Sequence, residues 1–144
     1  MLSDTYKPKF AVSHLSYADP TVPPVWPVEG AAVGDTKVMI VSLVLKTESK
    51  CLNVYFVVDD TSPRTFISPT TMQVLLPGEP LEHLPTSIRA NLHGQDLELM
   101  LSPQTSHFAD LNLLGVDFLA KCILWMNNSF GEEERYSLSL KNHP

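Results

Sequence analysis

The stretch V-V-D-D-T-S-P-R-T-F-I-S at residues 57–68 is the most informative segment of the sequence. Two β-branched apolar residues run directly into two adjacent acids, Asp59 and Asp60. Small hydroxyl residues and a proline follow, and then a second apolar pair. β-branched residues favour strands, whereas Asp, Ser and Pro favour turns. The stretch therefore predicts a strand that ends in paired carboxylates, a tight loop and a second short strand.

The residues before this stretch predict a β-hairpin. The run 37–46 is apolar on both alternating faces, which is typical of a strand buried between two layers. A polar turn at 47–50 separates it from a second β-rich run at 51–60, which ends at the two acids. We therefore expect regular structure to begin near Lys37.

The residues after the stretch predict two short helices and two more hairpins. Ser68-Pro69 supplies an N-cap and a first helical position, and Pro77-Gly78 ends that helix. Alternating apolar residues predict hairpins at 87–102 and 123–140, with a second short helix at 116–122 before the last one. Seven or eight short strands with two short helices predict a mainly β, barrel-like domain.

The first 34 residues have a different composition from the rest of the chain. Five prolines fall within residues 1–30, and proline removes a main-chain donor and fixes φ. We therefore expect a proline-rich arm at 1–34 that lies on, or leads into, a domain at 35–144. Val25 and Trp26 are candidates for anchoring this arm in a surface groove.

The overall composition excludes several classes of protein. A chain of 144 residues with 44% hydrophobic residues is long enough for one domain with a core. A net charge of −6 argues against a nucleic-acid partner, which would require a basic face. The sequence contains no apolar run long enough for a membrane span, and its N-terminus lacks the pattern of a signal peptide. We expect an intracellular, cytoplasmic location without membrane contact.

Residues that bind metals do not cluster in the sequence. The five histidines show no metal-type pairing, so we expect surface or turn positions, no metal site and no cofactor. Cys51 and Cys122 are expected to be reduced thiols in the core. Phe118 and Trp125 are also expected in the core, and Arg64 is expected to form an ion pair with the acids beside it.

Two separated motifs together resemble the retropepsin-like aspartic proteases, the single-domain relatives of pepsin. The stretch 57–68 is similar to that family's apolar-apolar-Asp-Thr/Ser-Gly-Ala/Ser motif with its following Ser/Thr-apolar-apolar triplet. The segment L-L-G-V-D-F-L at 113–119 is similar to the one that opens the family's C-terminal helix. The resemblance covers about residues 35–140. It implies a closed or partly open β-barrel with one or two short helices.

The resemblance also implies roles for the residues of the first motif. In the gap-free register, Asp59 falls on the family's catalytic aspartate, Asp60 on its Thr/Ser, Thr61 on its Gly and Ser62 on its Ser/Ala. The alternative, with Asp60 as the acid, would bring the triplet at 65–67 one residue too early. The family's chemistry needs two aspartates, one acting as base on water and the other as acid on the carbonyl. This chain has one such motif, so an active enzyme would be a homodimer.

Two departures from the family pattern argue against catalysis. Thr61 replaces a glycine that permits a tight turn, and Asp60 replaces a hydroxyl that bonds across the family's dimer. The segment 77–86 is short and rich in proline, so the family's glycine-rich flap hairpin does not fit there. Without this lid, water exclusion and substrate clamping are lost.

Three functional hypotheses follow. The first is a catalytically degenerate, retroelement-derived domain that acts by protein–protein interaction, through homodimerisation or by holding a peptide in the old substrate groove. The second is an active homodimeric aspartic endopeptidase that uses Asp59 from each subunit. The third is a generic β-barrel binding module without protease ancestry, and this hypothesis fails if the Asp59 loop and the run 113–115 are adjacent in space.

Overall fold

The computed structural model describes residues 10–34, 38–103, 110–127 and 134–141. Within these ranges the chain forms ten strands, two α-helices and a single 3-10 turn at Leu81–His83. The elements are β1 (Ser16–Tyr17), β2 (Val28–Val33), β3 (Val38–Lys46), β4 (Cys51–Val58), β5 (Phe66–Ile67), α1 (Pro69–Leu75), β6 (Ser87–Leu92), β7 (Gln95–Leu101), β8 (Leu113–Leu114), α2 (Val116–Leu119), β9 (Cys122–Asn127) and β10 (Glu134–Leu140).

The β3–β4 hairpin organises the sheet. The two strands pair from Ile40 opposite Val57 to Lys46 opposite Cys51. The other edge of β3 pairs with β2 near its start and with β6 near its end. Strands β4, β8, β5, β7, β6 and β3 therefore form a ring that the β3–β4 pairing closes. Because β5 and β8 have two residues each, this ring is not a regular barrel, but the predicted mainly β architecture with two short helices is confirmed.

Several local predictions are confirmed in detail. The predicted hairpins appear as β3–β4, β6–β7 and β9–β10. Helix α1 begins with Pro69, and the side chain of its N-cap, Ser68, accepts a hydrogen bond from the N–H of Thr71. This bond satisfies one of the donors that a helix N-terminus leaves free.

The prediction that regular structure begins near Lys37 is wrong. Strand β2 lies between β3 and β10, and β1 pairs with β4. The sequence of β2, V-E-G-A-A-V, is poor in strand-forming residues, so its conformation depends on the two neighbours that flank it. The prolines at 20–27 lie between β1 and β2, where no ladder donor is needed. The division into an arm at 1–34 and a domain at 35–144 stays a proposal, and the β2–β3 pairing crosses it.

The core lies inside the ring and contains Phe118, which is fully buried as predicted. Cys51 and Cys122 are buried free thiols, also as predicted. The prediction for Trp125 is wrong, because this side chain is 58% exposed. It lies on β9, which is the last strand of the sheet, so one side of β9 lacks a neighbouring strand among the described residues. No helix in the described ranges is both long and apolar enough to cross a membrane.

Candidate active site

The two sequence motifs meet at the end of β4. Strands β4 and β8 pair in parallel, with Val57 opposite Leu113 and Val58 opposite Leu114. Directly after β4, the N–H of Asp59 donates to the carbonyl of Leu114 at 2.9 Å. The Asp59 loop and the run 113–115 are therefore adjacent, which contradicts the hypothesis of a generic β-barrel module without protease ancestry.

Gly115 lies where the two motifs cross. A Cβ built on Gly115 would overlap the main-chain carbonyl of Arg64 and would lie 2.8 Å from the carbonyl oxygen of Ser62. The next residue, Val116, donates its N–H to that Ser62 carbonyl at 2.7 Å. The close approach of two main chains therefore requires glycine at this position.

Hydrogen bonds between Thr65 and Asp117 hold the C-terminal end of the Asp59 loop. The Thr65 hydroxyl donates to Asp117 Oδ1 at 2.7 Å and accepts from the N–H of Gly115 at 3.0 Å. The Thr65 N–H donates to Asp117 Oδ2 at 3.1 Å. Thr65 is fully buried, so each of these polar groups needs its partner. Asp117 belongs to the second motif, but its role as the partner of Thr65 could not be predicted from the sequence.

Asn112 is a positioning residue that sequence reasoning missed. Its Oδ1 accepts from the N–H of Ser68 at 2.8 Å and from the hydroxyl of Thr71 at 3.0 Å. Its Nδ2 donates to the carbonyl of Tyr55 at 3.2 Å. Asn112 thereby connects β4, the start of α1 and the approach to β8. The signal that could have identified Asn112 is its polar amide side chain within the otherwise apolar run 111–114.

The Asp59 carboxylate forms hydrogen bonds within the first turn of the loop. Its Oδ1 accepts from both the N–H of Thr61, at 3.0 Å, and the Thr61 hydroxyl, at 2.5 Å. Asp59 is half-buried, whereas Asp60 and Thr61 are exposed. The non-glycine residues with positive φ in the described ranges are Leu15 and His93. Thr61 is therefore accommodated without a positive φ, and the Asp59 side chain shapes the turn.

Arg64 forms an ion pair, but not with the acids predicted. Its Nη2 lies 2.5 Å from Glu98 Oε1, and its Nε lies 3.7 Å from Asp117 Oδ2. The hydrogen bond from Arg64 holds the pKa of Glu98 below its usual value. In the described part of the chain, Asp59 and Asp60 form no ion pair. The prediction failed because Arg64 extends towards β7, away from its sequence neighbours.

A small apolar cavity adjoins the exposed acid. Its volume is about 230 Å³, and Asp60 is the acidic residue among those that line it. The remaining lining residues come from β3, β4, α2, β9 and β10: Met39, Val58, Leu119, Cys122, Leu124 and Leu138. Leu124 is also 42% exposed, so Asp60 and an exposed residue of β9 line the same cavity.

Between α1 and β6 the chain contains a single 3-10 turn and no hairpin, so residues 76–86 do not form a flap. Across the described ranges, no three His, Cys, Asp or Glu side chains are grouped closely enough to hold a metal. His93 lies in a turn, one of the two kinds of position expected for the histidines, and its side chain is buried.

No model of a known protein family matches the chain, and no curated protein matches it. One solved structure is similar to it: a retropepsin-like aspartic protease from Rickettsia conorii, with 15% sequence identity and a TM-score of 0.50. The match covers 78% of this chain and 95% of that one. At this identity the similarity concerns the fold alone. The chain therefore has the retropepsin-like fold that its two motifs predicted.

Proposed function

We propose that this chain is a catalytically degenerate retropepsin-like domain that acts by protein–protein interaction as a homodimer. The observation that carries the proposal is the exposed apolar edge formed by Ile123, Leu124 and Trp125 on β9, which are 39%, 42% and 58% exposed. Exposed edge strands attract other strands, and natural proteins commonly protect them with charges or prolines. The β9 edge has neither at these three positions, which favours a partner there.

A second copy of the chain fits this edge for geometric reasons. Two copies of one edge strand can pair antiparallel about a two-fold axis, so that each presents the same residues to the other. Leu124 and Asp60 line one cavity, so a partner seated on β9 would lie next to the Asp59 loop. The net charge of −6 favours a protein or peptide over a nucleic acid as any additional partner. A cytoplasmic location is proposed from the sequence features alone.

The chemistry of the loop supports degeneracy. A dimer with Asp59 near its axis would bring two copies of Asp60 into the same region, and like charges at short range oppose each other. Asp60 also lacks the hydroxyl that the family uses at this position, and an ionised carboxylate cannot donate a hydrogen bond. Residues 76–86 provide no lid to exclude water from a substrate.

Sedimentation of the purified chain tests the dimer. We expect the unmodified chain to be a dimer and a Leu124→Ser, Trp125→Ser double variant to be a monomer. Val22→Ser is the matched control, because Val22 is 57% exposed but lies between β1 and β2, and it should leave the dimer intact. An unmodified chain that stays monomeric at high micromolar concentration contradicts the proposal.

An active homodimeric aspartic endopeptidase is the second candidate. It is favoured by one observation: Thr61 fits the turn without a positive φ, so the threonine does not by itself distort the loop. Incubation with an unfolded protein at mildly acidic pH tests this candidate. If cleavage occurs and Asp59→Asn abolishes it while Asp96→Asn on β7 does not, the degenerate assignment is overturned. If the purified dimer does not cleave, the endopeptidase candidate is lost.

A further inference from the structure

The segment between β1 and β2 is attached to the sheet by few hydrogen bonds. We call residues 19–27 the proline strap. Two hydrogen bonds join its described residues to the rest of the domain: Lys46 Nζ to the carbonyl of Pro20 at 3.4 Å, and His93 Nε2 to the carbonyl of Val25 at 2.9 Å. The lysine contact is exposed, whereas His93 is buried. The imidazole of His93 is therefore the buried attachment of the strap.

The partners of His93 fix its protonation state. Nδ1 accepts a hydrogen bond from the N–H of Val44 at 3.1 Å, so Nδ1 cannot carry a proton. Nε2 faces the carbonyl of Val25, which can only accept, so Nε2 must carry the proton. The arrangement is satisfied by the neutral Nε2–H tautomer alone. A doubly protonated ring would direct one N–H at another and break the bond to Val44.

Trp26 couples the strap to both His93 and the core. Its ring meets His93 edge to face, with centroids 4.9 Å apart and an interplanar angle of 86°. It also lies nearly parallel to Phe118 of α2, at 6.2 Å and 20°. Detachment of the strap would therefore expose Trp26 and uncover one side of the helix that follows Gly115.

His14, which precedes β1 in the sequence, makes a hydrogen bond of the same kind as His93. Its Nδ1 accepts from the N–H of Tyr55 at 3.0 Å, in the gap that β1 and β8 leave along the edge of β4. The Tyr55 hydroxyl donates to the carbonyl of Val12 at 2.6 Å, which attaches the same segment. Both imidazoles thus accept a main-chain N–H through Nδ1, and both join residues 10–27 to the sheet.

Few ionisable groups surround the two rings. Asp19 and Tyr17 line the cavity that His93 also lines, and the Asp19 carboxylate is engaged by Thr21. Strand β3 presents the main chain of Val44 to His93, and α2 presents Phe118 to the neighbouring Trp26. His14 faces the ring of Tyr55 at 5.1 Å. Burial is the cause that lowers the pKa of both histidines below 6.5.

We propose that His93 and His14 form a pH-sensitive latch: when neutral they hold the proline strap and residues 10–14 on the sheet, and when protonated they release these two flanks of β1, which stays paired with β4. With these flanks detached, both rings would be exposed to water, and each histidine would have its ordinary pKa of about 6.5. Because burial lowers the pKa in the attached state, attachment is strongest above pH 6.5 and weakens as the pH falls below it. The latch is independent of whether the Asp59 loop is catalytic.

Fluorescence of Trp26 in the full chain tests the latch. A Trp125→Phe background leaves Trp26 as the emitting tryptophan. We expect a red shift of emission and a rise in acrylamide quenching as the pH falls from 8 to 5. The double variant His14→Asn, His93→Asn should lose most of this response, because the Asn side-chain oxygen can accept the same N–H without titrating. Asn also tolerates the positive φ of residue 93. His83→Asn, at an exposed histidine, is the matched control and should respond like the parent.

Nitrogen-15 NMR of the imidazoles in the unmodified chain gives a test that does not depend on a variant folding. The expected result is an unprotonated Nδ1 on both His14 and His93 at pH 7.5. Below pH 6.5, double protonation should coincide with faster amide exchange at Val44 and Tyr55. An Nδ1–H tautomer of His93 at neutral pH overturns the latch. So does a double Asn variant that keeps the full pH response of Trp26.

Discussion

The N–H of Asp59 donates to the carbonyl of Leu114 at 2.9 Å, and this bond extends the parallel pairing of β4 and β8 into the loop. The bond places the main chain of Asp59 in direct contact with Leu114, which is far from it in the sequence. Because the next residue, Gly115, passes directly over the main chain of Arg64, the loop at 59–65 and the entrance to α2 form one unit. The positions of Asp59 and Asp60 therefore depend on residues that are distant from them in the sequence.

Gly115→Ala should be among the most damaging single substitutions in the chain. The added methyl would overlap a main-chain carbonyl, which cannot move aside as the end of a side chain can. We expect the free energy of unfolding to fall by about 3 kcal/mol or more. Urea unfolding followed by circular dichroism measures it.

Gly78→Ala is the control for this substitution. Gly78 has a φ of +92° but nothing within 4 Å of an added Cβ, so the substitution introduces backbone strain without overlap. The expected loss is about 1–2 kcal/mol. Equal losses at Gly115 and Gly78 would show that close packing over Arg64 is unimportant.

Thr65→Val should destabilise the loop much more than Thr61→Val. The Thr65 hydroxyl has two partners, and valine would remove both bonds and leave the buried Gly115 N–H unsatisfied, while Asp117 Oδ1 would still accept the N–H of Phe118. We expect a loss of about 2–4 kcal/mol of unfolding free energy, since an unsatisfied buried group costs about 1–3 kcal/mol and a hydrogen bond to a charged group contributes about 1.5–3 kcal/mol. Thr61 is exposed, so its valine variant should lose less than 1 kcal/mol, or about the value of one hydrogen bond. Thermal unfolding of the two variants compares them, and a similar Tm for both would contradict the proposed network.

Tyr136→Phe should stabilise the protein. Tyr136 is fully buried, and its hydroxyl has no hydrogen-bond partner among the described residues. Burial raises the pKa of this hydroxyl, so it stays protonated as an unsatisfied donor. Removing it should raise the free energy of unfolding by about 1 kcal/mol.

Tyr55→Phe provides the opposite comparison. The Tyr55 hydroxyl donates to the carbonyl of Val12 at 2.6 Å, so its removal should lower the free energy of unfolding by about 1 kcal/mol. Both changes can be measured by urea unfolding under identical conditions. Destabilisation by Tyr136→Phe would mean that its hydroxyl has a partner after all.

Cys122 should react slowly with thiol reagents in the folded protein. Burial raises the pKa of Cys122 to about 11, and burial also raises the pKa of Cys51. Since the thiolate is the reactive form, we expect alkylation of Cys122 at pH 8 to be about a hundredfold slower than that of an unfolded thiol. Mass spectrometry after iodoacetamide treatment, with and without urea, measures the difference. Rapid modification of the folded chain would contradict a core position.

Local sequence determined the elements whose residues specify their own conformation. Ser68-Pro69 set the start of α1, and the alternating runs on either side of Gly94 set the β6–β7 hairpin, because caps and turns depend on near neighbours. The Asp59 motif and the run ending at Gly115 together predicted the fold, because the two segments resemble the paired motifs of the retropepsin-like proteases.

Only the tertiary structure determined which faces of the strands are covered and which side chains pair with each other. Strand β2 forms between β3 and β10 although few of its own residues favour a strand, and Trp125 is exposed because β9 is the last strand of the sheet. His93 is buried because the proline strap crosses it, and Arg64 pairs with Glu98 on β7 instead of with its neighbours Asp59 and Asp60. Burial and pairing depend on residues distant along the chain, so local propensity could not predict them.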